Sequence, residues 1–181
     1  LAHVITAARA AGSTPVVAVI GHGAERVKAA FAGAGVDFVL QAEQLGTGHA
    51  VRQAMPGVPD DHLVLILFGD VPLVQAATMQ RLVEAAAGGE ALGVLSVRMQ
   101  DPTGYGRIVR GEDESIERVV ETKEDGDATD EELALDEVNA GIYAFDRVKL
   151  FEALAKVGSD NAQGEYYLTD IVAMAVADGL A

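Results

Sequence analysis

Cysteine and tryptophan are both absent from this chain of 181 residues. Without cysteine there are no disulfides, thiolate metal sites or cysteine nucleophiles, so any metal has to be bound by oxygen or imidazole. Positive charge is scarce as well: 13 Lys and Arg stand against 28 Asp and Glu, for a net charge of −15. That balance excludes phosphate-backbone binding of the nucleic-acid kind, which needs clustered Lys and Arg. Long apolar runs are also missing. A stretch such as Leu63–Phe68 falls far short of the roughly 20 residues that cross a bilayer, and no charged-then-apolar leader is legible. The expectation is a cytoplasmic chain with neither membrane nor nucleic-acid partner.

What is present is core. Hydrophobic residues make up 50% of the chain, enough for one compact domain of this length. Acid is unevenly spread: Glu112 to Glu137 holds 13 of the 28 acidic residues against Arg118 and Lys123 alone, which reads as a solvated surface excursion. Before it, helix and strand patterns alternate. Leu1, Val4, Ile5 and Ala8 recur at helical spacing. "PVVAVI" and "VDFVL" read as strands around a helix carrying Val27, Phe31 and Ala34. "TGHAVRQAM" is a short helix stopped by Pro56, "LVLILF" a strand buried on both faces, and Met79, Leu82, Val83 and Ala86 mark another helix. Such alternation predicts a mainly parallel sheet covered on both sides. The second half differs: after the strand "ALGVLSVRM" come "RIVR" and "SIERVVE", a hairpin about the turn "GEDE". A strand over "VNAGIYAF" follows. Next is a helix with Val148, Phe151 and Leu154 on one face, and then a last helix ending at Gly179. No internal repeat or low-complexity linker interrupts this order.

In an open α/β sheet, ligands settle outside the carboxyl ends of the strands. Two polar stretches lie there. "VDFVL" delivers Gln41, and Gly46 and Gly48 allow backbone to approach a flat ligand. A glutamine amide offers a donor and an acceptor, which suits the imide edge of a pyrimidine; an ordinary strand-to-helix loop with Thr47 as N-cap explains the spacing equally well. Asp70 follows the apolar run directly, between Gly69 and the turn at Pro72. A carboxylate buried there is costly unless paired or bound to a cation, and Mg²⁺ shared with a nucleotide suits a lone strand-end acid. The alternative is a helix N-cap.

The stretches "LQAEQLGTGHA", "GDVPL", "DPTGYGRI", "VE" followed by "K", "VNAGIY" and "AQGEYYLTDI", in this order, resemble the uridyltransferase domain of bacterial N-acetylglucosamine-1-phosphate uridyltransferases. The resemblance runs the length of the chain. It implies a Rossmann-like three-layer αβα fold with a mostly parallel mixed sheet. It also implies transfer of a uridylyl group from UTP to N-acetylglucosamine 1-phosphate with Mg²⁺, giving UDP-N-acetylglucosamine, a precursor of peptidoglycan, and pyrophosphate. Residue by residue, Gln41 matches the uracil reader, with Gln44 beside it and Gly46 and Thr47 in the turn closing on the base. Asp70 matches the magnesium ligand. Gly106, Glu121, Asn139, Tyr167 and Thr169 match the acceptor-sugar contacts. Residues 1–100 would form the nucleotide half and 101–181 the acceptor half.

Phe68 and Ala140 stand where the family often has tyrosine and threonine. The family pattern also opens with a glycine-rich loop, an arginine and a lysine that hold the phosphates, and Arg107 and Lys123 do not replace that cradle. The expectation is therefore an internal fragment of the first domain, inactive alone, lacking its first strand and phosphate loop. A second magnesium ligand and a trimer-forming left-handed β-helix would lie downstream. A missing strand would leave a gap near the centre of the sheet. The alternatives are another sugar-1-phosphate nucleotidyltransferase, such as a thymidylyltransferase, or a sugar-nucleotide-binding module without catalysis.

Overall fold

A computed structural model describes residues 1–88, 92–122 and 127–180. The first half runs α1 (Ala2–Ala10), β1 (Val17–Ile20), α2 (Ala24–Ala30), β2 (Asp37–Leu40), α3 (Thr47–Ala54), β3 (Leu63–Ile66) and α4 (Ala76–Ala87). Pro56 converts the end of α3 into a 3-10 turn, Met55–Gly57, because its ring removes a helical donor. There follow β4 (Leu92–Arg98), the hairpin β5 (Arg107–Arg110) and β6 (Ile116–Val120), α5 (Asp130–Leu133), β7 (Glu137–Asp146), α6 (Arg147–Lys156) and α7 (Asp170–Ala177).

β1 and β2 pair in parallel, and β3, β7, β5 and β6 follow in that order in a second, five-stranded sheet in which β4 also pairs with β7. The same stretch of β7 pairs with β3 and with β4, and both pairings are antiparallel. Strand sense is thus more mixed than the sequence alternation suggests: β3 and β4 run alike, and β7, arriving after the hairpin, lies between them. Period-two alternation on β7 builds the layers. Tyr143 and Phe145 join Leu150, Leu154, Ile171 and Val172 under α6 and α7. Ile142 and Ala144 pack against Leu82 and Ala86 of α4 on the opposite face. Full burial of side chains such as Phe145 and Leu150 contributes ~1.5–3 kcal/mol each.

Two expectations are corrected. On α6 the buried face is Leu150, Ala153 and Leu154, whereas Val148 and Phe151 are 41% and 47% exposed. Arg147 lies over the Phe151 ring, 5.1 Å from its centroid, and covers part of it. The acidic excursion contains a helix, α5, fixed by a capping box. Thr129 Oγ1 accepts from Glu132 N at 3.2 Å, and Glu132 Oε2 accepts from Thr129 N at 2.8 Å.

Between β1 and β3 there is no ladder among the described residues. Instead both strands line a cleft of about 810 Å³, closed by Val4, Ile5 and Ala8 of α1 and by Ala50 and Val51 of α3. The cleft explains why only Ile66 of β3 is buried, where a strand buried on both faces was expected.

Candidate active site

The carboxyl ends of β1 and β2 open onto a smaller hollow of about 350 Å³, walled by Gly21, His22, Gln41, Gln44, Gly46, Thr47, Ala50 and Glu165. The ladder continues one step past the strands, since Gln41 N donates to Ile20 O at 2.9 Å. That step fixes where the Gln41 side chain starts. Its Nε2 donates to Gly46 O at 3.0 Å and faces His49 Nδ1 at 3.0 Å. Gln44 lies against Gly21: a Cβ added there would meet Gln44 Nε2 at 2.9 Å. All four nucleotide-site residues expected from sequence are therefore brought together, and Gly21 and His22 join them from a "GHG" stretch that sequence reading left without a role.

The glycines of this loop admit a close main-chain neighbour. A Cβ on Gly46, whose φ is +102°, would stand 2.7 Å from Tyr166 O, and one on Gly48 would stand 3.0 Å from the same atom. The close neighbour is the Tyr166 main chain. Gly48 N donates to Tyr166 O at 2.8 Å and Tyr166 N donates to Leu45 O at 2.8 Å. Thr47 does not cap α3. Its hydroxyl accepts from Leu168 N at 3.0 Å. The two most family-specific stretches, "QAEQLGTGHA" and "AQGEYYLTD", are thus zipped into one wall.

Asp70 lies at the rim of the large cleft, and Thr47 and Ala50 line both hollows. Asp70 is exposed, which corrects the argument from burial, and it does not cap α4, whose N-cap is Gln75. No group of three or more His, Asp or Glu gathers there or elsewhere among the described residues. A single solvent-facing carboxylate fits Mg²⁺, which keeps waters and takes one or two carboxylates beside phosphate oxygens. It would not fit an all-protein cage.

Of the residues expected on the acceptor side, Asn139 and Glu121 come close to Tyr143. β7 makes a bulge after Asn139, opposite Leu95 and Ser96, with Gly141 at φ +71°. Asn139 holds the bulge: its Oδ1 accepts from Gly141 N at 3.0 Å while its Nδ2 donates to Tyr143 Oη at 2.6 Å. Asn139 N donates to Gly106 O at 2.9 Å. Thr169 Oγ1 donates to Glu121 Oε1 at 2.9 Å, in place of the capping role a residue ahead of α7 could have had. Glu121 is close enough to act electrostatically on both Tyr143 and Asp170. Burial, then the nearby Glu121 charge, raises the Asp170 carboxyl above its ordinary range. Burial likewise pushes the Tyr143 phenol up. Tyr167 is only 5% exposed, so its ring packs inside the protein.

Of the two cations considered at sequence level, Lys123 lies outside the described residues. Arg107 is 3% exposed and is spent on carbonyls, donating to Pro102 O at 2.7 Å and to Tyr105 O. Sequence reasoning missed Tyr143, Asp170 and His49. The fourth-residue spacing of Asn139 to Tyr143 and of His49 to Gln53 was the available signal.

The layered sheet with a pocket at its strand ends is the arrangement in which open α/β folds hold their ligands. The profile of the MobA-like NTP transferase domain matches residues 1–166, and the chain belongs to that family. Among curated proteins it is 56% identical to the bifunctional protein GlmU of Acidovorax sp. (strain JS42), over 99% of this chain and 38% of that protein. It is 54% identical to the GlmU of Cupriavidus taiwanensis, over 99% of this chain and 39% of the relative. The chain thus spans well under half the length of these relatives. Among solved structures, a UDP-glucose pyrophosphorylase complexed with UDP-glucose superposes with a TM-score of 0.68 at 16% identity, covering 97% of this chain and 74% of the other. HddC from Yersinia pseudotuberculosis, complexed with GMP-PN, gives 0.63 at 17% identity, over 91% and 67%. At such identities the structural likeness speaks for the fold.

Proposed function

We propose that this chain is the uridylyl-transferring part of a cytoplasmic enzyme that makes UDP-N-acetylglucosamine for peptidoglycan synthesis. The observation that carries the proposal is the zipping of the Leu45–Gly48 turn to Tyr166 and Leu168. It walls the hollow at the strand ends and links it to the element bearing Thr169. More than half the residues identical to GlmU proteins supports the same reading. Residues 1–100 would bind the nucleotide and 101–181 the acceptor, with Glu165–Leu168 closing the wall between them.

In this reading Gln41 reads uracil, Gln44, Gly46 and Thr47 shape its pocket, and Gly106, Glu121, Asn139, Tyr167 and Thr169 form the acceptor side. The acceptor's phosphate oxygen attacks the α-phosphorus of UTP, a new P–O bond forms, and the bond to pyrophosphate breaks. Positioning of the two substrates carries most of the rate. Asp70 would hold Mg²⁺, which when bound neutralises phosphate charge. The test is pyrophosphate release by the full-length protein. UTP with N-acetylglucosamine 1-phosphate should be the fastest pair; faster turnover of dTTP with glucose 1-phosphate refutes the assignment, and binding without turnover favours a non-catalytic module.

A further inference from the structure

His49 bonds to the Gln41 amide on one side and the Gln53 amide on the other, and the partners fix every proton between them. Gly46 O can only accept, so the amide atom 3.0 Å from it is Gln41 Nε2; turning the amide over would press two oxygens together. That nitrogen carries a second proton, and it lies 3.0 Å from His49 Nδ1. His49 Nδ1 therefore accepts, and the neutral imidazole carries its proton on Nε2. Gln53 Nε2 is placed 3.0 Å from His49 Nε2. Two donors do not face each other, and the two ends of an amide are interchangeable in assignment. Gln53 is therefore turned so that its oxygen accepts from His49.

Both donors of Gln41 are then occupied by protein, and no described residue donates to its Oε1. Gln41 lines the smaller hollow, whereas His49 does not. We propose that His49 is a positioning residue which, held between Gln53 and Gln41, locks the Gln41 amide so that only its oxygen meets the ligand. The pocket then selects bases that offer a ring N–H. This deepens the proposed function and rests on its reading of the hollow as a base site. Uracil satisfies Oε1 with N3–H. Cytosine brings an unprotonated N3 against it and leaves two acceptors opposed, a mismatch of the kind that binding sites reject strongly. Without His49 the Gln41 amide would be held by the Gly46 carbonyl alone, and a ligand would turn it at the cost of one hydrogen bond where it now costs two. Part of the selectivity therefore rests on the relay behind it.

The experiment measures equilibrium binding of UTP and CTP to the full-length protein and its variants, with ¹⁵N NMR of the histidine rings as a readout independent of nucleotide. His49→Leu should narrow the UTP preference by about tenfold, roughly the value of one hydrogen-bond mismatch. His49→Asn should keep it, because Asn Oδ1 takes the place of Nδ1 as acceptor. Gln53→Leu should narrow it less. The NMR spectrum should show the tautomer protonated at Nε2. An unchanged preference in His49→Leu overturns the proposal, as does an equal loss of both nucleotides in the Leu and Asn variants, which would mark a merely structural role. A parent with the Nε2-protonated ring but no UTP preference sinks the base reading itself. A ring protonated at Nδ1 sinks the relay alone.

Discussion

Glu137 sits where β4, β5 and β7 meet, and converting it to glutamine removes the charge around which that junction is built. The residue is 8% exposed. Its carboxylate accepts from Arg110 Nε at 2.9 Å, Arg110 Nη2 at 2.7 Å and Ser96 Oγ at 2.5 Å, with Arg98 Nη2 at 3.5 Å. Above all the Arg110 hydrogen bonds hold the Glu137 carboxyl at about 2, below its ordinary 4.5. At roughly 1.4 kcal/mol per tenfold change in proton affinity, that difference amounts to at most ~3.5 kcal/mol. Solvent around the partly exposed Arg98 and Arg110 reduces the expectation to ~2 kcal/mol. Because the folded value is the depressed one, the stabilisation is fully present above 4.5 and is lost as pH falls towards about 2. Urea unfolding of the parent and Glu137→Gln, followed by circular dichroism from about pH 3 to pH 7, reads this directly. A stability gap of ~2 kcal/mol at neutral pH that shrinks with acid is expected. A gap that does not change with pH, or none at pH 7, refutes the reasoning.

Gly141→Ala forces a side chain into φ +71° and against the Phe68 ring, whose Cδ2 and Cε2 would lie 2.8 Å from the new Cβ. It should cost ~2–3 kcal/mol, and Phe68→Leu in the same background should recover part of that loss in a double-mutant cycle. Gly46→Ala meets Tyr166 O at 2.7 Å; it should unzip the turn from Tyr166, lowering both the melting temperature and UTP affinity, the latter by about tenfold or more. Asp170 has its folded carboxyl value raised, so its ionisation costs stability as pH rises through that value. Asp170→Asn should therefore raise the melting temperature at pH 7, with the gain vanishing in acid.

Most elements were legible because their apolar residues repeat at helix or strand period and end at Gly or Pro. The failures have physical causes. On α6, Val148 and Phe151 share a face with Leu154 by sequence spacing, yet three neighbouring positions, Leu150, Ala153 and Leu154, point at the sheet. Strand sense depends on where β7 inserts, which local periodicity does not encode. At the candidate site, Gln41 drew attention because a polar residue at a strand end stands out against an apolar run, while the parts of Gln44, Gly46 and Thr47 came with the family resemblance. Which of their atoms face a ligand was not legible. Gly46 and Gly48 answer to the Tyr166 main chain, more than a hundred residues away. His49 is not marked out in the sequence because its partners, Gln41 and Gln53, meet it only once the strand-to-helix turn and α3 have formed.

The claim that one ligand reaches from the Gln41 pocket to the Glu121 and Thr169 pair is tested most directly by calorimetric titration of UDP-N-acetylglucosamine with Mg²⁺ into the full-length protein. Gln41→Ala and Glu121→Gln serve as companions from the two ends. Saturable binding by the parent, weakened about tenfold or more by each variant, is the predicted result. No heat from the parent, or binding that ignores both substitutions, would contradict it.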